Sequence, residues 1–153
     1  MEIEKKYIIN DLPLPLESYP CHFIEQAYLC TNPVIRIRRF DEEYTLTYKG
    51  EGMMIREESN LPLTKDAYEH LKGKRDGHII TKKRYHIPLP QYENLMIELD
   101  IFLSPYPGMI LAEVEFQTED EALAFLPPYW FGEEVTLDPK YHNSNMIYLP
   151  FVL

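Results

Sequence analysis

The side chains able to do chemistry in this chain fall at every second position within short runs. Glu2, Glu4 and Lys6 lie opposite Ile3, Tyr7 and Ile9, and Arg36 and Arg38 alternate with Ile35 and Ile37. Lys82 and Arg84 lie opposite Tyr85 and Ile87, Glu98 and Asp100 alternate with Ile97, Leu99 and Ile101, and Glu113 and Glu115 alternate with Val114 and Phe116. Lys49 shares its parity with Thr45 and Thr47, opposite Leu46 and Tyr48, and Arg56 shares its own with Glu58. Successive strand residues point to opposite faces, so each run presents one ionic face and one largely apolar face. Arg and Lys suit phosphate oxygens, and Arg offers a bidentate fork. Clustered carboxylates suit Mg²⁺ or Mn²⁺, which prefer oxygen ligands and bridge naturally to phosphates. Both signs on one wall fit a polyphosphate–metal complex better than either ligand alone.

Any one of these runs reads best as the wet face of an ordinary half-buried sheet. The set weakens that reading, because its polar positions run almost entirely to Glu, Asp, Lys and Arg rather than to Thr, Ser and Gln. If the sheet closes with this face inward, the apolar faces point outward and need helices and loops to cover them. The enclosed ions then require water, metal or an anionic ligand as compensation.

The elements that would hold these residues are mostly strands: Glu2–Ile9, Phe23–Cys30, Val34–Phe40, Tyr44–Lys49, Met54–Glu58, Ile79–Ile87, Leu95–Phe102, Met109–Phe116, and a last segment Met146–Val152. Two segments predict helices. Lys65–Leu71 follows Thr64 as N-cap and meets Gly73, and Glu119–Leu126 follows Thr118, with Glu121 completing a capping box and Pro127-Pro128 as the stop. Pro13, Pro15 and Pro20 make the stretch after the first strand a loop with room for one helical turn, and Gly50-Glu51-Gly52 reads as a hairpin turn. The expected architecture is one α+β domain over residues 1–153, dominated by antiparallel strands.

Composition narrows the functions. The 153 residues are 45% hydrophobic, enough for a real core, and carry a formal charge of −10, which argues against general nucleic-acid binding. No apolar run approaches a membrane span and Glu2 to Lys6 cannot open a signal peptide, so a cytoplasmic location is expected. Cys21 and Cys30 lack metal-site spacing, and the histidines, His142 included, show no ligand pattern. Tyr129-Trp130-Phe131 reads as a hydrophobic plug on the barrel in preference to a base-stacking platform.

The N-terminal Glu2-Ile3-Glu4-Lys5-Lys6 resembles the ExExK signature of the CYTH superfamily, the triphosphate tunnel metalloenzymes. Further segments follow in the family's order. They include Tyr28-Leu29, Ile35-Arg36-Ile37-Arg38, Thr45-Leu46-Thr47-Tyr48-Lys49-Gly50, Arg56-Glu57-Glu58, Lys82-Lys83-Arg84-Tyr85, Ile97 to Phe102, Ala112 to Phe116, Glu134-Val135-Thr136 and Tyr141-His142-Asn143-Ser144. The resemblance spans nearly the whole chain. It implies a closed antiparallel eight-stranded β-barrel with a few short helices outside.

It also implies roles. Lys6, Arg36, Arg38, Lys49, Lys82 and Arg84 would contact phosphate. Glu4, Glu58, Glu98, Asp100, Glu113 and Glu115 would be the metal-ligand pool, with Glu4, Glu58 and Glu115 foremost and Mg²⁺ or Mn²⁺ as the cofactor. Glu2, Glu4, Lys6, Arg56 and Tyr28 are the catalytic candidates. Tyr28 matches a tyrosine near the family's active site but fits a core role as well, and the acid after Arg56 could be Glu57 or Glu58, with parity favouring Glu58. The implied activity is metal-dependent hydrolysis of a small-molecule triphosphate, foremost tripolyphosphate, by a monomer or homodimer. Thiamine or nucleoside triphosphatase, adenylate cyclase and a polyphosphate-binding module are the alternatives.

Overall fold

A computed structural model describes residues 1–148. The chain runs β1 (Glu2–Ile8), β2 (Cys21–Thr31), β3 (Val34–Phe40), β4 (Glu43–Lys49), β5 (Ile55–Arg56), β6 (Glu58–Pro62), α1 (Lys65–Lys72), β7 (Asp76–Pro88), β8 (Met96–Ser104), β9 (Ile110–Phe116), α2 (Glu119–Ala124) and α3 (Asn143–Met146). The strands form one antiparallel sheet in the order β5-β1-β9-β8-β7-β2-β3-β4-β6. Its two ends are consecutive in sequence, since β5 and β6 are one run broken only at Glu57, whose carbonyl accepts from the Gly50 amide at 2.9 Å. The sheet therefore closes nearly into a barrel. Nine hydrogen-bonded strands make eight passes of the chain, one strand more than the eight expected.

The fifth pass also extends further than its sequence suggests. Met54–Glu58 stands out by its charges, whereas Ser59, Asn60, Leu61 and Pro62 have almost no strand signature. Pairing with β4 supplies what propensity lacks, with Asn60 opposite Thr47 and Glu58 opposite Lys49. α1 begins at the expected Thr64 cap, and α2 ends two residues before Leu126, ahead of Pro127. Thr118 Oγ1 accepts from the Glu121 amide as expected, but Glu121 returns its carboxylate to the Gln117 amide, one residue outside the expected box. The expected last strand is absent through Tyr148: Met146 ends α3, and residues 149–152 lie outside the described residues.

Outward faces are apolar and covered. α2 and the segment after it seal β1, β8 and β9, with Phe131 against Tyr7 at 4.9 Å between ring centroids and Trp130 edge-on to Phe131. Tyr129, next in the same run, is 90% exposed and takes no part in that plug. α1 seals β2 and β3, placing fully buried Tyr68 over Ala27 and Ile37, with its hydroxyl 2.8 Å from a Glu25 carboxylate oxygen. Inside, the charged lining stops short of one end. There Val34, Ile80, Phe102 and Leu111 share a cluster with Met146 and Ile147, so α3 closes an apolar floor.

Candidate active site

Above that floor lies a polar cavity of about 240 Å³. Every sequence-predicted site residue except Asp100 lines it: Glu2, Glu4, Lys6, Tyr28, Arg36, Arg38, Lys49, Arg56, Lys82, Arg84, Glu58, Glu98, Glu113 and Glu115. Alternation aims all of these inward, and barrel closure brings eight passes of chain around one volume.

The two signs are not mixed evenly. Around the ring of eight passes, β9 and β3 are separated by three strands on either side, so Glu113 and Glu115 stand across from Arg36 and Arg38. In the ladder beside β9, Glu4 pairs directly with Glu115, and Lys6 with Glu113. Among the described residues neither Glu4 nor Glu115 has an ion-pair partner, and neither Arg36 nor Arg38 has a carboxylate partner. Arg36 donates to Thr47 Oγ1 at 3.3 Å and its Nε is buried without a partner, while Arg38 donates twice to Gln26 Oε1.

Apart from Arg56, whose Nε donates to the Gly50 carbonyl at 3.3 Å, the remaining charges are spent on each other. Arg84 takes both oxygens of Asp100 at 2.7 and 2.8 Å and also meets Glu98 at 2.8 Å, and Lys82 meets Asp100 at 2.7 Å. Asp100 is thus a fully buried counterion behind the cavity wall. Lys49 joins Glu2 at 2.9 Å to Glu58 at 3.7 Å, and Lys6 lies 3.4 Å from Glu113 while donating to the Tyr141 carbonyl at 2.8 Å.

Titration follows this geography. Burial, with Glu113 and Glu2 nearby, pushes Glu4 up to about 8. Partial desolvation at the mouth, with Glu98 and Glu58 beside it, also raises Glu115, whose side chain stays open to solvent. Burial acts against the charge of Glu113, yet Lys6, Arg84 and Lys82 together hold it well below the usual range. On the basic side, burial lowers Lys82 to about 7 despite Asp100, with Arg84 and Arg38 adding to the effect. Burial and the adjacent Arg36 and Arg84 also lower Arg38. A guanidinium does not give up its proton in a protein, so that shift registers an unmet need for an anion.

Both poles therefore lack a partner, one for a cation and the other for an anion. The facing pair Glu4–Glu115 offers hard oxygen donors that fit Mg²⁺ or Mn²⁺. Among the described residues no three His, Cys, Asp or Glu side chains converge into a ready cage. That donor set suits a cation completed by phosphate oxygens and water, the usual manner of Mg²⁺.

The structure also brings in residues that no charge pattern flags. Asn60 lies on the part of β6 beyond the expected strand end, and Thr45 and Thr47 were visible only by parity. His142, Asn143 and Ser144 enter from the C-terminal segment, with His142 Nε2 placed 2.9 Å from the Thr136 carbonyl and Asn143 Oδ1 accepting from Lys82 at 3.1 Å. Tyr28 serves both expectations, its ring in the apolar floor and its side chain lining the cavity.

Comparison with known proteins settles the kinship. An inorganic triphosphatase of Nitrosomonas europaea is 38% identical over 149 residues, covering 95% of each chain. The chain belongs to the CYTH superfamily, among the inorganic triphosphatases. A second inorganic triphosphatase, from Acetivibrio thermocellus, is 33% identical and covers 98% of this chain and 95% of its own. A crystal structure of an inorganic triphosphatase superposes with a TM-score of 0.69 at 35% identity, covering 96% of this chain and 94% of that one. An adenylyl cyclase candidate from Hippeastrum, described as having a dominant triphosphatase activity, shares the fold at a TM-score of 0.54 and 16% identity. No protein-family model matches the chain. As a member of this family the protein is a hydrolase acting on triphosphate. No helix among the described residues is long and apolar enough to cross a membrane.

Proposed function

We propose that the cavity binds tripolyphosphate together with Mg²⁺ or Mn²⁺ and hydrolyses it to pyrophosphate and phosphate. The observation that carries this reading is the pair of unmet poles, Glu4 with Glu115 on one wall and Arg36 with Arg38 on the other. A chain of phosphates carrying a divalent cation satisfies both at once. Coordinated by Glu4 and Glu115, with Glu58, Glu98 and Glu113 in reserve, the cation would offset charge on the phosphate oxygens.

In this reading Arg36, Arg38, Lys82 and Lys6 hold the phosphate chain, while Lys49 and Arg84 fix the carboxylates around it and, with Arg56, meet oxygens at the edge of the cavity. Water attacks a terminal phosphorus in line with the departing pyrophosphate, and the fixed cations stabilise charge on the transferred group and on the leaving group. Little covalent work falls to the protein, so positioning and electrostatics supply the rate. Glu2, Glu4 and Lys6 would orient the attacking water, and Tyr28 bounds the inner end of the cavity.

The test is phosphate release by metal-stripped protein from tripolyphosphate, ATP and thiamine triphosphate, with and without Mg²⁺ or Mn²⁺. Metal-dependent release that prefers tripolyphosphate and collapses in Glu4→Gln and Lys6→Ala supports the reading. Preference for ATP or thiamine triphosphate would overturn the substrate, and release without a divalent cation would overturn the metal.

A further inference from the structure

Arg84 and Arg38 both face the cavity, yet the chain treats them oppositely. Arg84 is neutralised by the Asp100 carboxylate at 2.7 and 2.8 Å. Arg38 is held by an uncharged amide: its Nε and Nη2 both donate to the single oxygen Oε1 of Gln26, at 3.0 and 2.9 Å. Gln26 is fully buried. Its amide nitrogen donates to Asn143 Oδ1 at 3.0 Å and lies 3.5 Å from the Tyr28 hydroxyl. Two cationic donors on one side and acceptors on the other fix which way the amide lies. A glutamate would match the same shape and would bind a guanidinium more strongly. The use of an amide there leaves the charge of Arg38 intact and, among the described residues, its outer Nη1–Nη2 edge uncommitted.

We propose that Gln26 is a positioning residue for triphosphate binding: it fixes the orientation of Arg38 without neutralising it, so that the free edge of the guanidinium is reserved for a phosphate. The inference rests on the reading of the cavity as a triphosphate site. The lowered proton affinity of Arg38, with Arg36 and Arg84 nearby, agrees with a charge kept without a counterion.

Gln26→Glu and Gln26→Met separate this role from packing. Metal-free binding of tripolyphosphate is measured by calorimetry, and KM and kcat with the divalent cation present, beside thermal unfolding without anions. Gln26→Glu is expected to weaken tripolyphosphate binding and raise KM by about tenfold or more, the scale of one lost charge-assisted contact. Its kcat is expected to change much less, and its unfolding temperature to fall less than that of Gln26→Met, because the new Arg38 ion pair offsets the lost hydrogen bond to Asn143. Gln26→Met is expected to unfold earlier but to bind with a smaller loss than Gln26→Glu. Parental binding by Gln26→Glu would overturn the proposal, as would its failure to fold, or equal losses of stability and kcat in both variants. If the parent itself does not bind tripolyphosphate, the substrate reading falls and sulfate stabilisation decides the inference: it stands if sulfate raises the parent's unfolding temperature and not that of Gln26→Glu, and falls otherwise.

Discussion

Glu4 and Glu115 are direct partners in the β1–β9 ladder, two carboxylates side by side with no basic residue paired to either among the described residues. Like charges directly opposite one another destabilise a strand pair, so this placement costs stability until something positive arrives.

Glu4 makes that cost dependent on pH. Its proton affinity in the fold, about 8, lies above its ordinary value, so the stability it contributes is present below about 4.5 and is lost as pH rises through 8. Lys82, lowered to about 7, acts in the opposite sense from 7 upward. Between pH 5 and 7 Glu4 therefore pulls the unfolding temperature of the metal-free protein down, against His86 and His142, whose burial-lowered proton affinities push it up there, and Glu4→Gln is expected to make the slope more positive. Thermal scans across the range check it, and an unchanged slope in the variant would refute the assignment.

Binding of Mg²⁺ or Mn²⁺ is expected to expel a proton near neutral pH, because Glu4 must ionise to coordinate. Calorimetry in buffers of different ionisation enthalpy counts the protons released at pH 7. Glu4→Gln should release fewer and bind at least about tenfold more weakly, on the scale of one lost ligand interaction.

Lys82 predicts the pH dependence of anion binding. Affinity for metal-free tripolyphosphate should fall as pH rises through about 7, as the ammonium is lost. Lys82→Met should bind weakly at all pH values and lose that step.

Asp100 belongs to the scaffold in this account. Asp100→Leu would leave Arg84 and Lys82 buried without their shared carboxylate, at a cost of about 3–5 kcal/mol. Chemical denaturation measures the loss. Whatever fraction folds should retain the parent's affinity for Mg²⁺, and a selective loss of metal affinity with normal stability would return Asp100 to the metal ligands.

Gly77 tests the apolar floor. Its backbone sits at φ +64°, and a β-carbon there would come within 2.6 Å of the Ile147 carbonyl oxygen and 2.9 Å of the Ile147 side chain. Gly77→Ala should cost about 1–3 kcal/mol by strain and by displacing the segment after α3. Denaturation gives the cost, and hydrogen exchange of the His78 amide, which donates to the Ile147 carbonyl at 2.8 Å, shows whether the floor opens.

Most of the barrel was legible because β1, β3, β8 and β9 alternate between an ionic face and a largely apolar one. The charged site residues were legible for the same reason. What escaped depends on partners far away in sequence. Asn60 is a strand residue only because β4 lies beside it, and Gln26 carries no charge to mark it. Asp100 has the same parity as Glu98, but only the three-dimensional neighbourhood of Arg84 and Lys82 shows that its carboxylate is already engaged. Ile80, Phe102 and Leu111 share the parity of the charged lining, and only the packing of α3 against them shows that they form a floor.

The closure of the barrel has a weak joint. β5 meets β1 through only two residue pairs, Glu2 with Arg56 and Ile3 with Ile55, whereas β1 meets β9 through six. Glu2, Lys49, Arg56 and Glu58 all gather at this seam and all line the cavity. Cargo that draws these four together acts as mortar between the first and last courses of the wall. Loading the cavity would then complete the cylinder itself, and the amides of Ile55 and Arg56 would be the ones whose hydrogen exchange slows most when it fills.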